Sequence, residues 1–301
     1  MLDSACIKRL ASEAGFDLCG VTKAEYLPHA ELRFSEWLAS GYGEGLEYLY
    51  RNQELRFDAS KLMDGAKTVV VCGVNYKSDL SLTQDLESGV GIASYALMRD
   101  YHKTIKKRLK SVFKGLQLIT PELNGRVFTD SAPLLEKHLA VKAGLGWIGR
   151  QSLLITPKYG SFVLLGEILL DREVDIYDFE QSGDGCGSCR RCIEACPASA
   201  INNNRTLDTR LCIACRTIEL EDSGDKPLAG WIFGCDICQR CCPHNQRSPL
   251  ATNLDMRRTL TPPTRESWMQ MDDKDFETFA QGTPIKRSSL QRVKHNIKIN
   301  E

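Results

Sequence analysis

Ten of the thirteen cysteines lie between residues 186 and 242, and their spacing predicts metal–sulfur chemistry. The first group, Cys186, Cys189, Cys192 and Cys196, has the spacing C-x2-C-x2-C-x3-C and is followed by Pro197. In bacterial ferredoxins three thiolates of such a run bind one [4Fe–4S] cluster, and the fourth binds the neighbouring cluster. The run therefore predicts two adjacent [4Fe–4S] clusters.

A second group of cysteines supplies the remaining ligands. Cys242 precedes a proline, as the last cysteine of the first group does, so it is predicted to cross back to the first cluster. The ligands predicted for cluster I are Cys186, Cys189, Cys192 and Cys242. Those predicted for cluster II are Cys196, Cys235 and Cys238, with the fourth left open among Cys212, Cys215 and Cys241.

Zinc is the main alternative, because paired C-x2-C motifs also build zinc sites with four cysteine ligands. Zinc sites rarely crowd four thiolates into eleven residues, as the run 186–196 does, so iron–sulfur clusters are favoured. A disulfide framework suits a small secreted domain, whereas this chain has 301 residues and no apparent export signal.

Two adjacent clusters conduct electrons and need an acceptor. Residues 144–149 match G-x-G-x-x-G, but no buried strand is predicted before them, so they indicate a flavin or nicotinamide site only weakly. The glycines Gly144, Gly146 and Gly149 with Trp147 suggest backbone that approaches a flat ligand, and a loop needing positive φ is the alternative. The electrons must pass to another cofactor in the N-terminal part or to a partner.

The elements that must position these groups follow from hydrophobic periodicity. Helical spacing of apolar residues predicts helices over 4–20, 30–39 and 93–114, and a short helix near 272–279. Continuous apolar runs at 68–74 and 162–170 predict strands buried on both faces. This alternation predicts a layered α/β (α+β) domain over 1–177. A polar linker at 178–185 leads into a cluster module, 178–250, and a basic tail, 251–301, is expected to pack on the core.

Composition limits the partners and the location. Lysine and arginine together number 39, as do aspartate and glutamate, so any nucleic-acid footprint must be local. The N-terminus has no uninterrupted apolar segment, and no apolar run reaches the ~20 residues of a membrane span. A cytoplasmic protein with no membrane association is predicted.

Several motifs resemble those of the epoxyqueuosine reductases, in the order in which that family has them. They are SYALMRDYH (94–102), VFTDSAPLLEKHLAVKAGLGWIGR (127–150), GSFVLLGE (160–167), LDTRLCIACRTIE (207–219), GWIFGCDICQRCCPHN (230–245) and TPIKRSSLQRVKHN (283–296). The resemblance runs from about residue 56 to residue 296.

The resemblance implies a nitroreductase-like cobalamin-binding domain joined to a bacterial ferredoxin-like module with two [4Fe–4S] clusters. The family reduces epoxyqueuosine at the wobble position of transfer RNA to queuosine, the last step of queuosine biosynthesis. The implied chemistry is cob(I)alamin attack on the epoxide with loss of water, starting from resting cob(II)alamin without a protein lower ligand. The family motif also assigns the fourth ligand of cluster II to Cys212, and Cys215 and Cys241 match positions that are not cysteine in the family.

Asp130 matches the family's proton donor, and burial beside the corrin is expected to raise its pKa. Without the resemblance, an N-cap for a helix over 132–143 would be the simpler interpretation of Asp130. The residues implied to contact cobalamin are Arg56, Tyr95, Asp100, Tyr101, His102, Asp130, Trp147, Ile148, Leu154, Leu165, Gly166 and Ala214.

Local basic stretches are candidates for contacts with RNA phosphates. Lys286, Arg287, Arg292 and Lys294 are predicted to bind RNA. The helix stretch from Lys103 to Lys110 is equally well explained as a solvated face. The chain departs from the family at Arg150, Gln151 and Ala214. We expect no helical-repeat extension after the core.

Two other functions share some of these features. A different corrinoid reductase, similar to the reductive dehalogenases, would combine cobalamin with two clusters. A ferredoxin-type electron carrier would have the clusters alone. A monomer is expected, and the sequence does not identify the electron donor.

Overall fold

Eight strands can be traced in the computed structural model, which describes residues 1–81, 89–181, 183–256 and 260–301. They are β1 (Leu18–Lys23), β2 (Thr68–Asn75), β3 (Gly91–Ile92), β4 (Gly125–Phe128), β5 (Trp147–Ile148), β6 (Leu154–Ile155), β7 (Val163–Leu170) and β8 (Trp231–Phe233). The central sheet has four strands in the order β1-β2-β7-β4, all antiparallel to their neighbours.

Twelve α-helices surround these strands in the described residues. They are α1 (Ser4–Glu13), α2 (Pro28–Ala39), α3 (Gln53–Arg56), α4 (Tyr101–Ile119), α5 (Glu136–Lys142), α6 (Arg191–Glu194), α7 (Ile213–Ile218), α8 (Ile237–Arg240), α9 (Pro243–Arg247), α10 (Arg265–Gln270), α11 (Asp273–Ala280) and α12 (Leu290–Ile299). None of the helices in these ranges is long and apolar enough to cross a lipid bilayer.

Both faces of the central sheet are covered. On one face, Val70 and Cys72 of β2 pack in the same core cluster as Ile105 and Leu109 of α4. On the other, Val71 packs with residues of α5. Every residue of β2 is buried, which confirms the strand predicted at 68–74, and β7 confirms the one predicted at 162–170. The mixed α/β class is confirmed, although the sheet is antiparallel.

Two predicted helices have different bounds in the structure. The helix predicted over 4–20 ends at Glu13, because the chain turns at Gly15 (φ 87°) and enters β1. The helix predicted over 93–114 begins at Tyr101, since the Asp100 side chain caps it by accepting from the His102 N–H. A short 3-10 helix, Ser94–Leu97, precedes it. This later start places Tyr101 and His102 in the first turn of α4.

The C-terminal residues form more structure than the single helix predicted near 272–279. Besides α11, which confirms that helix, α10 and α12 are present, and Trp268, Phe276 and Val293 lie in one buried cluster. The same cluster includes residues of β3 and β8, which pair in parallel. Apolar residues spread over three short amphipathic helices gave too weak a periodicity to predict each one. Residue 182 of the predicted linker lies outside the described ranges.

Candidate active site

Asp130 meets two side chains from the first turn of α4. The Tyr101 hydroxyl donates to Asp130 Oδ2 at 3.1 Å, and His102 Nε2 lies 3.4 Å from the same oxygen. The other ring nitrogen of His102 lies 2.7 Å from Asp100 Oδ1. Asp130 comes two residues after β4 ends, and its side chain remains 57% exposed. The sequence-predicted residues Asp100, Tyr101, His102 and Asp130 therefore come together at one surface-accessible site.

The charges at this site are coupled. Burial alone would raise the pKa of Asp130, but hydrogen bonds with His102 and Tyr101 outweigh it, and the pKa lies below the usual carboxyl value. The pKa of Asp130 is therefore lowered in the protein without ligands, and the rise expected beside a bound corrin stays a prediction. The hydrogen bond with Asp130 raises the pKa of His102, against the effect of burial and with further help from Asp100. The pair thus holds its proton on the imidazole.

The N-cap interpretation of Asp130 is wrong. Helix α5 begins at Glu136, not near 132, and its N-cap position is Leu135, which makes no side-chain capping bond. Asp130 instead has φ 45°, in the left-handed region that few non-glycine residues adopt. Its backbone N–H donates to Glu136 Oε1 at 2.8 Å. The carboxylate is left free to face Tyr101 and His102.

The pKa values of two histidines, His102 and His138, are shifted in opposite directions. Burial, together with Lys137 and Arg33, lowers the pKa of His138 to about 4, whereas that of His102 is raised. An unfolded chain takes up a proton near the ordinary value of 6.5, so His138 makes the free energy of unfolding fall as pH drops from 6.5 through about 4. We expect His138→Gln to flatten this fall in anaerobic denaturant titrations. A slope identical to that of the unsubstituted protein would contradict the prediction.

An ion pair faces the same site from the other half of the chain. Arg287 Nη2 donates to Glu219 Oε2 at 2.6 Å, and the positive charge of Arg287 helps to lower the pKa of Asp130. The negative charges of Glu219 and Asp130 also act on Tyr95 and Tyr48. Burial is the main cause that raises the pKa of Tyr48, to about 12. Sequence reasoning missed Glu219 and Tyr48, because no local pattern joins residues so far apart in the chain.

Sequence reasoning also missed a second carboxyl, Glu167, which lies beneath the site. Glu167 is fully buried within β7, and its pKa is raised by burial and by the neighbouring Glu136. One signal was present in the sequence: a lone acidic residue interrupts the apolar run 162–170.

The residues implied to contact cobalamin fall into two groups. Arg56, Tyr95, Trp147, Ile148 and Ala214 are half-buried and reach the surface. Leu154, Leu165 and Gly166 are buried in the core. A Cβ at Gly166 would lie 2.6 Å from Ile105, so close packing of α4 on β7 already accounts for that glycine.

The glycines at 144–149 are explained by the fold of the chain itself. A Cβ at Gly146 would lie 2.0 Å from the carbonyl oxygen of Ile155, and Gly144 has φ 72°. A helix, α5, precedes this segment, and β5 lies within it. The structure therefore favours the tight-loop explanation over close approach to a flat ligand.

Cysteines within each predicted set lie close enough to act on one another's pKa. Burial and the neighbouring Cys186, Cys242 and Cys189 raise the pKa of Cys192 to about 11. Cys212 and Cys196 likewise act on Cys235, whose pKa burial raises most. Among the described side chains, no three His, Cys, Asp or Glu groups surround a single metal ion. The division of the cysteines into two ligand sets stays a prediction.

The two remaining cysteines also lie close to these sets. Burial and the neighbouring Cys192, Cys242 and Cys189 raise the pKa of Cys241. Its thiol donates to the Cys238 carbonyl at 3.5 Å. Cys215 is buried beside Cys212. Proximity alone therefore does not separate ligands from bystanders.

The basic residues of the tail differ in what they contact. Arg292 donates to the Arg216 carbonyl at 2.7 Å and to the Leu220 carbonyl, and Lys294 donates to the Met271 carbonyl at 2.8 Å. Lys286 and Arg287 are exposed. In the basic helix stretch, Arg108 donates to the Gly15 carbonyl at 2.5 Å. Arg292, Lys294 and Arg108 thus have structural contacts within the chain.

Comparisons with known proteins agree on one family. The family model "Epoxyqueuosine reductase QueG, DUF1730" matches residues 56–131, and "4Fe-4S double cluster binding domain" matches residues 185–245. An epoxyqueuosine reductase of Cyclobacterium marinum is 36% identical over 301 residues, covering 97% of this chain and 94% of the relative.

Solved structures are similar over nearly the whole chain. The epoxyqueuosine reductase of Streptococcus thermophilus has a TM-score of 0.83 at 27% identity, with 98% of this chain and 79% of that chain covered. An epoxyqueuosine reductase bound to an epoxyqueuosine-modified tRNA-Tyr stem loop has a TM-score of 0.84 at 21% identity, with the same coverage of 98% and 79%. The second likeness shows the shared fold.

Proposed function

The chain belongs to the epoxyqueuosine reductase family, and we propose that it reduces epoxyqueuosine to queuosine at the wobble position of transfer RNA. It is an enzyme of the oxidoreductase class, acting in transfer RNA modification. The observation that carries the proposal is the Asp130 carboxylate, which Tyr101 and His102 hold at an accessible site. Such a group can manage protons at an epoxide oxygen.

The clusters held by the cysteines would transfer electrons to the active site. The double-cluster domain at 185–245 supports two [4Fe–4S] clusters. We assign cluster I to Cys186, Cys189, Cys192 and Cys242, and cluster II to Cys196, Cys212, Cys235 and Cys238. The protein donor of these electrons is not identified by anything in the chain.

Cobalamin fits the residues around the site. Within the described residues, the buried nitrogens Arg56 Nε, Trp147 Nε1 and Gln151 Nε2 have no hydrogen-bond acceptor. A ligand rimmed with amide carbonyls can accept from such donors. Arg56, Tyr95, Trp147 and Ala214 would hold it in a nitroreductase-like domain. When bound, cobalamin supplies a nucleophilic cobalt centre for an epoxide carbon.

His102 has a role other than metal ligation in this proposal. Its Nδ1 is 2.7 Å from Asp100 and its Nε2 is 3.4 Å from Asp130, so both ring nitrogens have carboxylate partners. Neither ring nitrogen of His102 is therefore free to ligate a metal. The imidazole instead stores a proton for Asp130.

Opening an epoxide to an alkene consumes two electrons and two protons, and the oxygen leaves as water. Asp130 delivers protons to the epoxide oxygen, and His102 reloads Asp130 across their shared contact. Burial and the negative charge of Asp130 raise the pKa of the Tyr101 phenol, so this phenol stays neutral. It holds the Asp130 carboxylate in place by donating a hydrogen bond to it. Each residue thus has one step in moving or holding a proton.

We propose that the chain acts in the cytoplasm as a monomer that binds transfer RNA, with a catalytic domain at 1–177, a cluster domain at 178–250 and a tail at 251–301. Of the tail, Lys286 is the best candidate for a phosphate contact, because Arg292 and Lys294 already donate to backbone carbonyls and Arg287 is paired with Glu219.

Two substitutions separate phosphate contact from structural support. Lys286→Ala should weaken transfer RNA binding and lower the slope of log affinity against log salt by about 1, with stability unchanged. Arg292→Ala should instead destabilise the protein by about 1–3 kcal/mol, since several carbonyls of the α7 end lose their donor. Salt-dependent binding and anaerobic denaturation measure the two effects. Equal salt slopes for the Lys286 variant and its parent would refute the phosphate contact.

The proposed function is tested by anaerobic turnover of epoxyqueuosine-containing transfer RNA with added cobalamin and a strong reductant. Queuosine should form only when both are present. A plain electron carrier would show iron–sulfur absorbance without cobalamin bands after reconstitution. A different corrinoid reductase would take up cobalamin but leave this transfer RNA unchanged, and either result would reject the proposal.

A further inference from the structure

A buried carboxyl, Glu167, lies behind the active site, next to the half-buried carboxyl of Glu136. Glu167 is 0% exposed, and in the sheet it is paired with Val71 of β2 on one side and Phe128 of β4 on the other. In the described part of the chain, neither of its carboxyl oxygens has a donor group from which to accept a hydrogen bond. An ionised carboxylate in such a place is very costly. Glu167 is therefore expected to be in its neutral, protonated form.

The protonated carboxyl of Glu167 can donate a hydrogen bond to the carboxyl of Glu136. The carboxyls of Glu136 and Glu167 are near enough to act on each other's pKa, and two carboxylates cannot donate to each other, so a hydrogen bond between them requires a shared proton. Glu136 also accepts the backbone N–H of Asp130 at 2.8 Å. Glu136 is thus the acceptor for two donors, one from β7 and one from the active-site loop.

The second of these donors explains an unusual backbone conformation. Asp130 has φ 45°, which is sparsely populated for a residue with a side chain and persists only where other contacts enforce it. The bond from its N–H to Glu136 is such a contact. It fixes the direction in which the Asp130 carboxylate leaves the backbone, toward Tyr101 and His102.

We propose that Glu136 and Glu167 form a proton-sharing carboxyl pair that positions Asp130 for catalysis. The inference rests on the proposed function, since it concerns how the proton-delivering residue is held. Both glutamates act through Asp130 and are positioning residues. A charged acceptor makes a stronger hydrogen bond than a neutral one, so the hold on Asp130 depends on ionisation of Glu136.

The groups around Glu136 determine the pH at which its carboxyl ionises. Burial raises the pKa of Glu136 to about 7, and the negative charge of Asp130 adds to the rise. The Asp130 N–H, the Glu167 hydroxyl and the charge of Lys137 act in the opposite direction. From α4, the phenol of Tyr101 also faces Glu136. For Glu167, burial and the charges of Glu136 and Asp130 keep the pKa well above the usual carboxyl value.

Since Glu136 becomes fully charged as pH rises through about 7, turnover should rise over the same interval. Glu136→Gln keeps the size of the side chain and an acceptor oxygen but cannot ionise. We expect it to lower kcat on epoxyqueuosine transfer RNA by about tenfold, with KM unchanged, and to remove this rise from the kcat profile. The holoenzyme is used throughout, under anaerobic conditions.

Glu167→Gln is the informative partner variant. Its amide still donates to Glu136, so most of the activity should be kept, but the pair no longer holds a titratable proton at residue 167. An amide is a weaker donor than the carboxylic acid that it replaces, so it lowers the pKa of Glu136 less, and the rise in kcat should move to higher pH. Glu167→Leu removes the donor and should resemble Glu136→Gln in kcat. The exposed residue Glu122 provides the control, and Glu122→Gln should leave both kcat and its pH profile unchanged.

The outcomes separate the pair from the proposed function. Should Glu136→Gln keep the parental kcat and pH profile while the unsubstituted enzyme makes queuosine, the positioning role is refuted and the function stands. Absence of queuosine with the unsubstituted enzyme refutes the function instead. If Glu136→Gln does not fold, judged by cobalamin bands and iron content, Glu167→Gln decides: a shifted profile supports the pair, and an unshifted one overturns it.

Discussion

Asp130→Asn is expected to lower turnover of epoxyqueuosine transfer RNA by about 10²–10⁴-fold, the range typical of losing a general acid. Asparagine retains the size of the side chain and tolerates the left-handed conformation that residue 130 adopts. It cannot carry a transferable proton. The loss should therefore appear in kcat, measured anaerobically with cobalamin and excess reductant, and not in binding of the transfer RNA.

A second readout tests the partnership with His102. The hydrogen bond with Asp130 is the largest cause that raises the pKa of His102. With a neutral amide at residue 130, the His102 pKa should fall, because only Asp100 still favours the charged imidazole. The residual turnover of this variant still depends on protonated His102. Its kcat should therefore begin to decline at a lower alkaline pH than that of the unsubstituted enzyme.

A matched variant guards against a general effect of removing acidic charge. Asp64 is exposed and distant in sequence from the site, so Asp64→Asn should leave turnover unchanged. The Asp130→Asn protein must also keep its cobalamin bands and its iron. Full turnover by an intact, cobalamin-loaded Asp130→Asn protein would remove Asp130 from the mechanism.

Local patterns in the sequence were sufficient for some features of this molecule. The cysteine spacing predicted two thiol sets, because the ligands of one cluster are mostly close neighbours in the chain. The apolar runs that became β2 and β7 were also recognisable, since each is buried along most of its length. The signals that revealed these features are local: the cysteine run 186–196 and the two apolar runs each lie within about ten positions.

Features that join distant segments could not be predicted in the same way. The antiparallel order of the sheet depends on pairings such as Cys72 with Gly166, for which no local signal exists. The ion pair between Glu219 and Arg287 is equally remote in sequence. Family resemblance identified Asp130, but only the folded chain shows that Glu136 holds its backbone.

The pKa of Asp130 illustrates the same limit for electrostatics. Burial was foreseen, and it does act to raise the pKa. The opposing hydrogen bonds come from Tyr101 and His102, whose positions depend on where α4 begins. A helix starting at residue 93, as predicted, would have placed them further along the helix. The direction of the Asp130 pKa shift therefore depends on contacts between segments that no local pattern reveals.

The fourth ligand of cluster II is the other feature with a large predicted consequence. Cys212→Ala should remove this cluster, so that bound iron falls from about eight atoms per chain to about four. Turnover should be lost almost completely, by at least about 10²-fold, because electrons no longer pass between the clusters and the active site. Iron and sulfide analysis with anaerobic turnover measures both effects.

Cys241→Ala and Cys215→Ala are the matched controls for this substitution. Both residues lie beside the thiol sets, so all three variants remove a half-buried or buried thiol from the same region. If Cys212 is the ligand, the two controls should keep the full iron content and most of the turnover. An iron content halved by Cys241→Ala or Cys215→Ala, with Cys212→Ala unaffected, would transfer the assignment to that residue. Burial raises the pKa of all three thiols, so each would be protonated without a metal partner. Only the thiol that binds the cluster is kept ionised. Loss of iron is therefore the property that identifies the ligand.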